Sequence, residues 1–503
     1  MTPVPLTDFP LLPLFILLTS LLVAPILFAL PESAARLRTG INLGMAALKV
    51  ALVAWLAVKV SEGVIYDLRF TMLPGLEFKL QADPLAILFV SLSAILWLIT
   101  TVYSVGYLEH GPHRARFFGF FSLCVAATVG IAMAGNLFTF LIFYELLTLA
   151  TYPLVIHHGT AEALRAGRIY LIYTLTGGLV LLLGTLGLWV LAGTTDFIPG
   201  GVLDNVAAER PRAAQLLFVV LVGAVGVKAA LVPFHAWLPV AMVAPAPVSA
   251  LLHAVAVVKA GAFGIMRVVY EIFGIETAQA LGMTAPLAAM AAITILYGSM
   301  RAITQDDIKK RLAYSTVSQV SYITLGVALA SPIAAIGALG HLIHQGLMKI
   351  TMFMAAGNLA EGLGVKKVSQ MDGVGRAMPG TMLAFTLAAL AMIGLPPLAG
   401  FVSKWYLAQG GLDAGAAWVI ALLLGSSLLN AVYFLPMLHR AWFRDGTRAK
   451  ETPKRPRIGW MLAAPPITTA LMVLAVGGFA NAPFSPLEWT RFVVAIAYRE
   501  QSQ

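Results

Sequence analysis

Six ionisable side chains lie inside long apolar stretches of this 503-residue chain. They are one acid and five lysines, namely Glu145, Lys49, Lys228, Lys259, Lys349 and Lys404. A charge at the centre of a bilayer costs roughly 2.5–3.5 kcal/mol per residue, so a chain that keeps six of them is expected to use them. Titratable groups strung through an apolar protein predict a path for protons or small cations.

The composition indicates a membrane protein. Apolar residues make up 59% of the chain, charged residues make up 11%, and the mean hydropathy is +0.87, which is unlike a soluble domain. The net charge of +10 does not indicate nucleic acid, because the basic residues fall in short loops between apolar stretches. The single cysteine, Cys124, excludes a disulfide framework or a cysteine-ligated iron–sulfur cluster within this chain. We find no motif for a nucleotide, a flavin or a metal, and we expect no cofactor.

The apolar stretches are long enough to cross a bilayer as helices. They predict an all-α polytopic membrane protein with about fourteen transmembrane helices, at 10–30, 41–60, 84–108, 117–134, 136–156, 169–193, 214–237, 247–269, 281–301, 312–330, 333–360, 381–405, 414–438 and 459–480. Glu145 is the only one of the 23 acidic residues that falls inside these spans.

The loops between the spans predict the orientation. Loops on one side carry 20 lysines and arginines, and those on the other side carry eight. Because cytoplasmic loops are enriched in basic residues, we expect both termini outside the cytoplasm, in a multi-pass protein of the bacterial inner membrane.

Two predicted spans are broken beside a lysine, span seven after Lys228 and span twelve before Lys404. Proline lacks an N–H group and interrupts a helix, and a membrane helix tolerates this only where protein or water satisfies the freed backbone groups. The breaking prolines are Pro233, Pro239, Pro396 and Pro397. A third, milder break is expected at Gly346, close to Lys349.

The two proline breaks recur about 165 residues apart, and paired broken helices are typical of transporters built from inverted repeats. We therefore predict two related five-helix units, spans 4–8 and spans 9–13, in which helices 7 and 12 are broken. The predicted division is 1–110 for helices 1–3, 111–270 for the first repeat, 271–440 for the second repeat, and 441–503 for a basic cytoplasmic loop, helix 14 and the tail.

Six motifs surround the charged residues. They read FYELLTLATYPLV, VKAALVPFHAWLP, SALLHAVAVVKAGAFGIMR, DDIKKRLAYSTVSQVSYITLG, HLIHQGLMKITMF and GLPPLAGFVSKWYL. In this order they resemble the antiporter-like subunits of respiratory complex I, membrane-bound hydrogenases and Mrp-type multisubunit cation/proton antiporters. The resemblance runs from about span three to span thirteen and implies fourteen helices with two inverted five-helix repeats.

The resemblance also implies a role for each charged residue. Glu145 and Lys228 would form the buried pair of a first half-channel, Lys259 would be the central relay, and Lys404 would exchange protons at the end of the second half. The bridging residues, together with water, would be His253, His341, His344 and Lys349.

The residues themselves leave alternatives open. Burial disfavours a charged lysine and a nearby carboxylate favours it, so Glu145 could switch the charge of Lys228, or the two could form a static ion pair. The bridging histidines could instead be satisfied core residues. Lys49 matches no family motif, and it could pair with a neighbouring subunit, snorkel to the interface or carry protons.

Within the family, a D-type subunit of an Mrp-like Na⁺/H⁺ antiporter is the leading interpretation. Lys404 stands where M-type complex I subunits have a glutamate, which indicates an Mrp D-type or a complex I N-type subunit. The chain ends soon after span fourteen, unlike the largest complex I subunit and the Mrp A subunit. His344 and Lys349 have the D-type spacing, although Gln345 departs from many relatives. The alternative is an antiporter-like component of complex I or a hydrogenase, driven by electron transfer elsewhere. The partners implied are other membrane subunits, lipid, H⁺ and possibly Na⁺.

Two interpretations come from other classes. The chain could carry haem between His253 and His341, although few intramembrane histidines are paired. It could also be a structural spacer, in which case neutralising Lys404 would leave transport unchanged.

Overall fold

The computed structural model describes residues 9–73, 75–108, 111–445, 458–483 and 485–499. Within these ranges, twelve helical segments are long and apolar enough to cross a membrane, which confirms a multi-pass helical membrane protein. The two further predicted spans, 312–330 and 381–405, fall on a more polar helix and on a pair of short helices, and the count of fourteen stays a prediction. The basic segment 446–457 lies outside the described residues.

The first half of the chain contains thirteen α-helices and one hairpin. The helices are α1 (Leu12–Leu21), α2 (Val23–Ala29), α3 (Ala35–Ser61), α4 (Pro84–Tyr107), α5 (Arg114–Ala132), α6 (Leu137–Val155), α7 (Ala161–Ala192), α8 (Asp204–Glu209), α9 (Pro211–Lys228), α10 (Trp237–Val240), α11 (Ala246–Ala254), α12 (Val257–Arg267) and α13 (Ile275–Ala280). Strands β1 (Tyr66–Leu73) and β2 (Leu76–Ala82) form an antiparallel hairpin between α3 and α4 that the sequence did not predict. A π-helical turn, Val268–Phe273, extends α12.

In the second half, nine α-helices lie within the described residues. They are α14 (Thr284–Ile303), α15 (Ile308–Ala328), α16 (Pro332–Leu363), α17 (Val374–Ala377), α18 (Pro379–Ile393), α19 (Ala399–Asp413), α20 (Trp418–Phe443), α21 (Trp460–Gly478) and α22 (Pro486–Arg499). The long helix α16 lies at the centre and packs against α11, α15, α18, α19 and α21.

Side-chain caps fix where several of these helices begin. The side chain of Asp83 accepts a hydrogen bond from the Ala86 N–H at the start of α4, and Ser331 does the same for Ala334 at the start of α16. In both helices a proline occupies the first position, where its missing N–H costs nothing. The sequence therefore sets the ends of two helices that border the buried polar residues.

Two of the predicted breaks are present. The helix α9 ends at Lys228 and the chain becomes helical again at Trp237. Similarly, α18 ends at Ile393, and α19 begins at Ala399 after Gly394, whose φ of 100° favours glycine.

The predicted break at Gly346 is wrong, because α16 is continuous through it. A break that the sequence did not predict separates α11 from α12 at Val255 and Ala256. Gly346 packs against this break, since a Cβ there would lie 2.9 Å from the Ala254 carbonyl oxygen.

Glycines from other helices contact the two proline-containing breaks as well. A Cβ at Gly261 of α12 would overlap the backbone of Ala229, directly after Lys228. A Cβ at Gly477 of α21 would overlap the backbone of Pro397 and Ala399. Each of the three breaks is therefore held by a helix that approaches it closely through a glycine.

Candidate functional site

Lys228 is the last residue of α9, and its side chain is fully buried. Its ammonium group donates a hydrogen bond to the carbonyl oxygen of Tyr144 and lies 3.3 Å from the centroid of the Tyr144 ring. The adjacent Glu145 is close enough for its charge to act on Lys228, but the ammonium bonds to the Tyr144 carbonyl and not to the carboxylate. The structure thus brings the two predicted residues together without a direct ion pair.

The carboxylate of Glu145 lies against Gly178 of α7. A Cβ at Gly178 would overlap its Oε1 atom, so only glycine leaves room for this side chain. That Oε1 atom is buried and has no hydrogen-bond partner among the described residues. The Glu145 carboxylate therefore lies near a buried lysine with an oxygen that lacks a hydrogen-bond donor among the described residues, and such a carboxylate can take up and release a proton.

We expect Gly178→Ala to displace the Glu145 carboxylate and to lower proton-coupled transport about tenfold, because overpacking a buried contact costs about 1–3 kcal/mol. Proton uptake by vesicles that contain the assembled complex measures the effect. Gly223→Ala on α9 is the matched control, since a Cβ there meets nothing within 4 Å. Equal transport by the two variants would contradict a role for the position of Glu145.

The central pair, His253 and Lys259, lies on the two sides of the unpredicted break. His253 lies in the last turn of α11, its Nε2 lies 3.3 Å from the Met242 sulfur, and its ring stacks on Phe353 with the ring centroids 4.4 Å apart. Lys259 is fully buried near the start of α12, and its ammonium has no hydrogen-bond partner in the described part of the chain. Lys259 therefore lies buried without a protein acceptor among the described residues, close to His341, His344 and Lys349 of α16.

The predicted residues of α16 share one uninterrupted helix and are all fully buried. The Nδ1 atom of His341 lies 2.8 Å from the Ser403 hydroxyl, directly before Lys404. Both ring nitrogens of His344, and both side-chain polar atoms of Gln345, have no protein partner in the described ranges. Buried polar atoms of this kind are ordinarily satisfied by internal water.

Lys404 on α19 points back into the second break. Its ammonium donates to the carbonyl oxygens of Met392 and Ile393 and to the Ser427 hydroxyl, each at 2.9 Å. The two carbonyls end α18, where they lack their helical donors. The break predicted from Pro396 and Pro397 therefore provides the acceptors that hold this lysine.

A chain of hydrogen bonds joins Lys349 to the same break. Lys349 donates to the Ser315 hydroxyl at 2.7 Å, and the Ser315 hydroxyl lies 2.8 Å from the Tyr433 hydroxyl. The Tyr433 hydroxyl in turn donates to the side-chain oxygen Oδ1 of Asn430 at 2.6 Å. The amide of Asn430 donates at 3.1 Å to the Met392 carbonyl that also accepts from Lys404.

The sequence analysis missed Ser315, Tyr433 and Asn430. Each is a common residue inside an apolar helix, and none carries a charge that draws attention. Only their position could have suggested them, since α15 packs against α16, which carries Lys349, and α20 packs against α19, which carries Lys404.

Other charged residues are buried away from this chain of hydrogen bonds, among them Lys49, Arg267 and Glu271. Lys49 is fully buried within the protein, donates to Ser20 at 2.5 Å and lies 4.4 Å from the Trp97 ring centroid. This geometry is against snorkelling and against pairing with a neighbouring subunit.

Glu271 lies in the π-helical turn and pairs with Arg267 at 2.5 Å. The helix formed by α12 and this turn therefore runs beyond the predicted span 247–269, and Glu145 is not the only acid within a long buried helix.

Comparison with known proteins identifies relatives of this arrangement. Residues 134–430 match the family described as "NADH:quinone oxidoreductase/Mrp antiporter, TM", and residues 74–118 match "NADH-Ubiquinone oxidoreductase (complex I), chain 5 N-terminus".

Three individual proteins are informative. The N subunit of the NADH-quinone oxidoreductase of Desulforudis audaxviator is 38% identical, over 76% of this chain and 76% of its own. The D subunit of the Na⁺/H⁺ antiporter of Bacillus subtilis is 30% identical, over 75% of each chain. A protein of the Mrp complex from Dietzia sp. superposes with a TM-score of 0.86 at 24% identity, over 98% of both chains, and so shares the fold.

Some relatives are longer. The chain spans 42% of the A/B subunit of a probable K⁺/H⁺ antiporter from Rhizobium meliloti, to which it is 32% identical over 83% of its own length.

Proposed function

Because the chain belongs to the NADH:quinone oxidoreductase/Mrp antiporter transmembrane family, we propose that it is the proton-translocating subunit of a multisubunit membrane complex. The observation that supports this most is the run of buried basic groups through the centre of the chain. It passes from Lys228 through Lys259 and the α16 residues to Lys404. Burying four lysines costs free energy, and proton transfer explains why they are kept.

In the proposed route, Glu145 modulates the charge of Lys228 in a first half-channel, within residues 111–270. Lys259 is the central relay, and it exchanges protons through water with the histidines of α16. Lys404 releases or accepts protons at the end of a second half-channel, within residues 271–440.

The same proposal covers the cellular setting. Other membrane subunits surround the chain, which spans the bacterial inner membrane with both termini outside the cytoplasm. The charge bias of the loops supports this orientation.

Two kinds of complex fit. A D-type subunit of an Mrp-like Na⁺/H⁺ antiporter is favoured by the 30% identity to the D subunit of the Bacillus subtilis Na⁺/H⁺ antiporter over 75% of each chain, and Lys404 is compatible with both kinds of complex. Membership of a redox-driven complex is favoured by the higher identity to the NADH-quinone oxidoreductase relative, 38% against 30% for the Na⁺/H⁺ antiporter relative. In both, the ion path through this chain is the same and the energy source differs.

Purification of the tagged chain in mild detergent, followed by mass spectrometry of the proteins that accompany it, separates the two. Small membrane subunits alone would support an antiporter driven by the proton gradient. Iron–sulfur or flavin subunits would support a redox-driven pump. Recovery of the chain on its own, with full transport activity after reconstitution, would contradict a multisubunit function.

The hydrogen-bond chain between Lys349 and Lys404 leads to a separate prediction. Tyr433→Phe removes the hydroxyl that joins Ser315 to Asn430 and leaves buried partners unsatisfied, which costs about 1–3 kcal/mol. We expect proton transport to fall about tenfold while the amount of assembled complex is unchanged. Tyr103→Phe is the control, because this buried tyrosine donates to the Met354 carbonyl oxygen and takes no part in the chain of hydrogen bonds between Lys349 and Lys404. Wild-type transport by Tyr433→Phe would exclude this link.

A further inference from the structure

A basic cavity lies away from the buried lysines of the proposed route, between α3, the end of α4 and the beginnings of α5 and α21. It has a volume of about 450 Å³ and opens at one face of the protein, where α3, α5 and α21 begin and α4 ends. Because four membrane helices start or stop there, the cavity lies at the level of the membrane–water interface. The polar residues that line it are Arg36, Arg38, Thr39 and Arg114.

The charges around this cavity favour an anion. Three guanidinium groups, those of Arg36, Arg38 and Arg114, line it, and the nearby acid is Glu32. Burial opposes ionisation of Glu32, but the N–H of Ala115 and the charge of Arg38 hold its pKa below the usual value. Glu32 is therefore ionised at neutral pH, and Arg36, Arg38, Arg114 and Glu32, taken among the described residues, carry two surplus positive charges.

Glu32 already satisfies one of the two helix N-termini that meet here. Its carboxylate accepts hydrogen bonds from the N–H groups of Arg114 and Ala115, at the start of α5. In contrast, the N-terminus of α3 has no side-chain cap at Ala34. The first N–H groups of a helix attract anions such as phosphate, and at α3 no carboxylate takes that place.

Arg38 provides an independent indication of a ligand. Its side chain is 2% exposed and donates to the Pro31 carbonyl oxygen at 2.7 Å, but its Nε atom has no partner among the described residues. A buried guanidinium that lines a cavity and keeps an unused donor is suited to an anionic group with several acceptor oxygens. Gly40, on the next turn, leaves open space beside it.

The remaining walls are apolar. They consist of Val105, Leu108, Phe118 and Met461. Beyond the cavity, the exposed surface of α3 is also apolar, with Leu37 at 56% and Leu48 at 44% exposure. A ligand that fits must therefore join a negative headgroup at the interface to hydrocarbon along α3.

We propose that this cavity binds the phosphate of an anionic phospholipid headgroup, with Arg36, Arg38, Thr39 and the N-terminus of α3 as the phosphate site and the lipid chains along α3. The proposal is independent of proton translocation. Free phosphate shares the headgroup chemistry but would leave the apolar surface of α3 uncovered.

Native mass spectrometry of the intact complex in mixed nanodiscs tests the proposal, with phosphatidylglycerol and phosphatidylcholine as the probes. In the variant Arg36→Gln/Arg38→Gln we expect retained phosphatidylglycerol to fall roughly thirtyfold, because each basic residue at the interface contributes about 1 kcal/mol to anionic lipid binding. Phosphatidylcholine retention should not change. Inorganic phosphate at millimolar concentration, as a competitor, should not displace the lipid.

The matched control is Arg165→Gln/Arg168→Gln, which removes two exposed arginines from the first turns of α7. Since Arg38 is buried and its loss could impair folding, Arg36→Gln alone, at an exposed position, is measured as well and should lower retention about fivefold. An equal loss in the control pair, or equal retention of both lipids by the wild-type complex, would overturn the proposal. Displacement by phosphate would show a free-anion site and no lipid site.

Discussion

Lys228→Ala is expected to abolish proton-coupled transport while the complex still assembles. The ammonium group sits at the end of α9, where the helix stops, and is held by a carbonyl oxygen and a ring face without a direct counter-ion. Removing a positioned proton-transfer group typically costs at least about a hundredfold in rate. Glu145→Gln should give a similar loss, because the carboxylate is the charge that acts on Lys228.

Proton movement in vesicles, measured with a pH-sensitive dye, is the readout, and co-purification of partner subunits reports assembly. Lys366→Ala, at an exposed loop lysine, is the matched control and should behave as wild type. If correctly assembled Lys228→Ala complexes transported at the wild-type rate, the assignment of a first half-channel would be wrong. If Lys228→Ala failed and Glu145→Gln did not, the carboxylate would be a structural neighbour only.

The second large effect is expected at Lys404. Lys404→Ala removes the group that binds the two free carbonyls at the end of α18 and the Ser427 hydroxyl, and transport should again fall by at least about a hundredfold. Lys404→Glu should restore part of it, because a carboxylate also exchanges protons. The restoration should be incomplete, since a carboxylate donates no hydrogen bond and its protonated form donates only one, whereas the ammonium of Lys404 donates three.

Several substitutions at position 404 distinguish a proton-transfer function of Lys404 from a purely structural one. Lys404→Met, which keeps the length of the side chain without a titratable group, should match Lys404→Ala. A spacer function predicts wild-type transport in all three variants, with loss only when the whole chain is deleted. Identical losses in Lys404→Glu and Lys404→Met would show that a carboxylate cannot replace the amine here.

The sequence predicted the parts of the site that carry formal charge or proline. A buried lysine is costly wherever it lies, and proline removes a backbone donor wherever it falls in a helix, so Lys228, Lys404 and their two breaks could be found without a structure. The motif around Gly346 was misread for the opposite reason. Glycine either interrupts a helix or allows a close approach, and only the position of α11 decides which.

The remaining features depend on which helices become neighbours. The break at Val255 and Ala256 contains no proline or glycine. Ser315, Tyr433 and Asn430 join Lys349 to Lys404 only because α15 and α20 meet beside α16. The position of Glu145 against Gly178 likewise depends on the packing of α7, and no spacing along the chain reveals it.

The glycine contacts at the three breaks limit the conformational changes that this protein can undergo during transport. At each break, the backbone lies in direct contact with the glycine of another helix, with no side chain between them. A change in the helical winding at a break would therefore require the two helices to separate. The freed carbonyls then act as a fixed electrostatic frame, comparable to the rigid dipoles of an ion filter. Between these fixed points, the parts free to respond are the lysine and histidine side chains and their water. For the proposed proton route, this predicts that coupling to a partner subunit proceeds through rearranged charges and not through displacement of a helix.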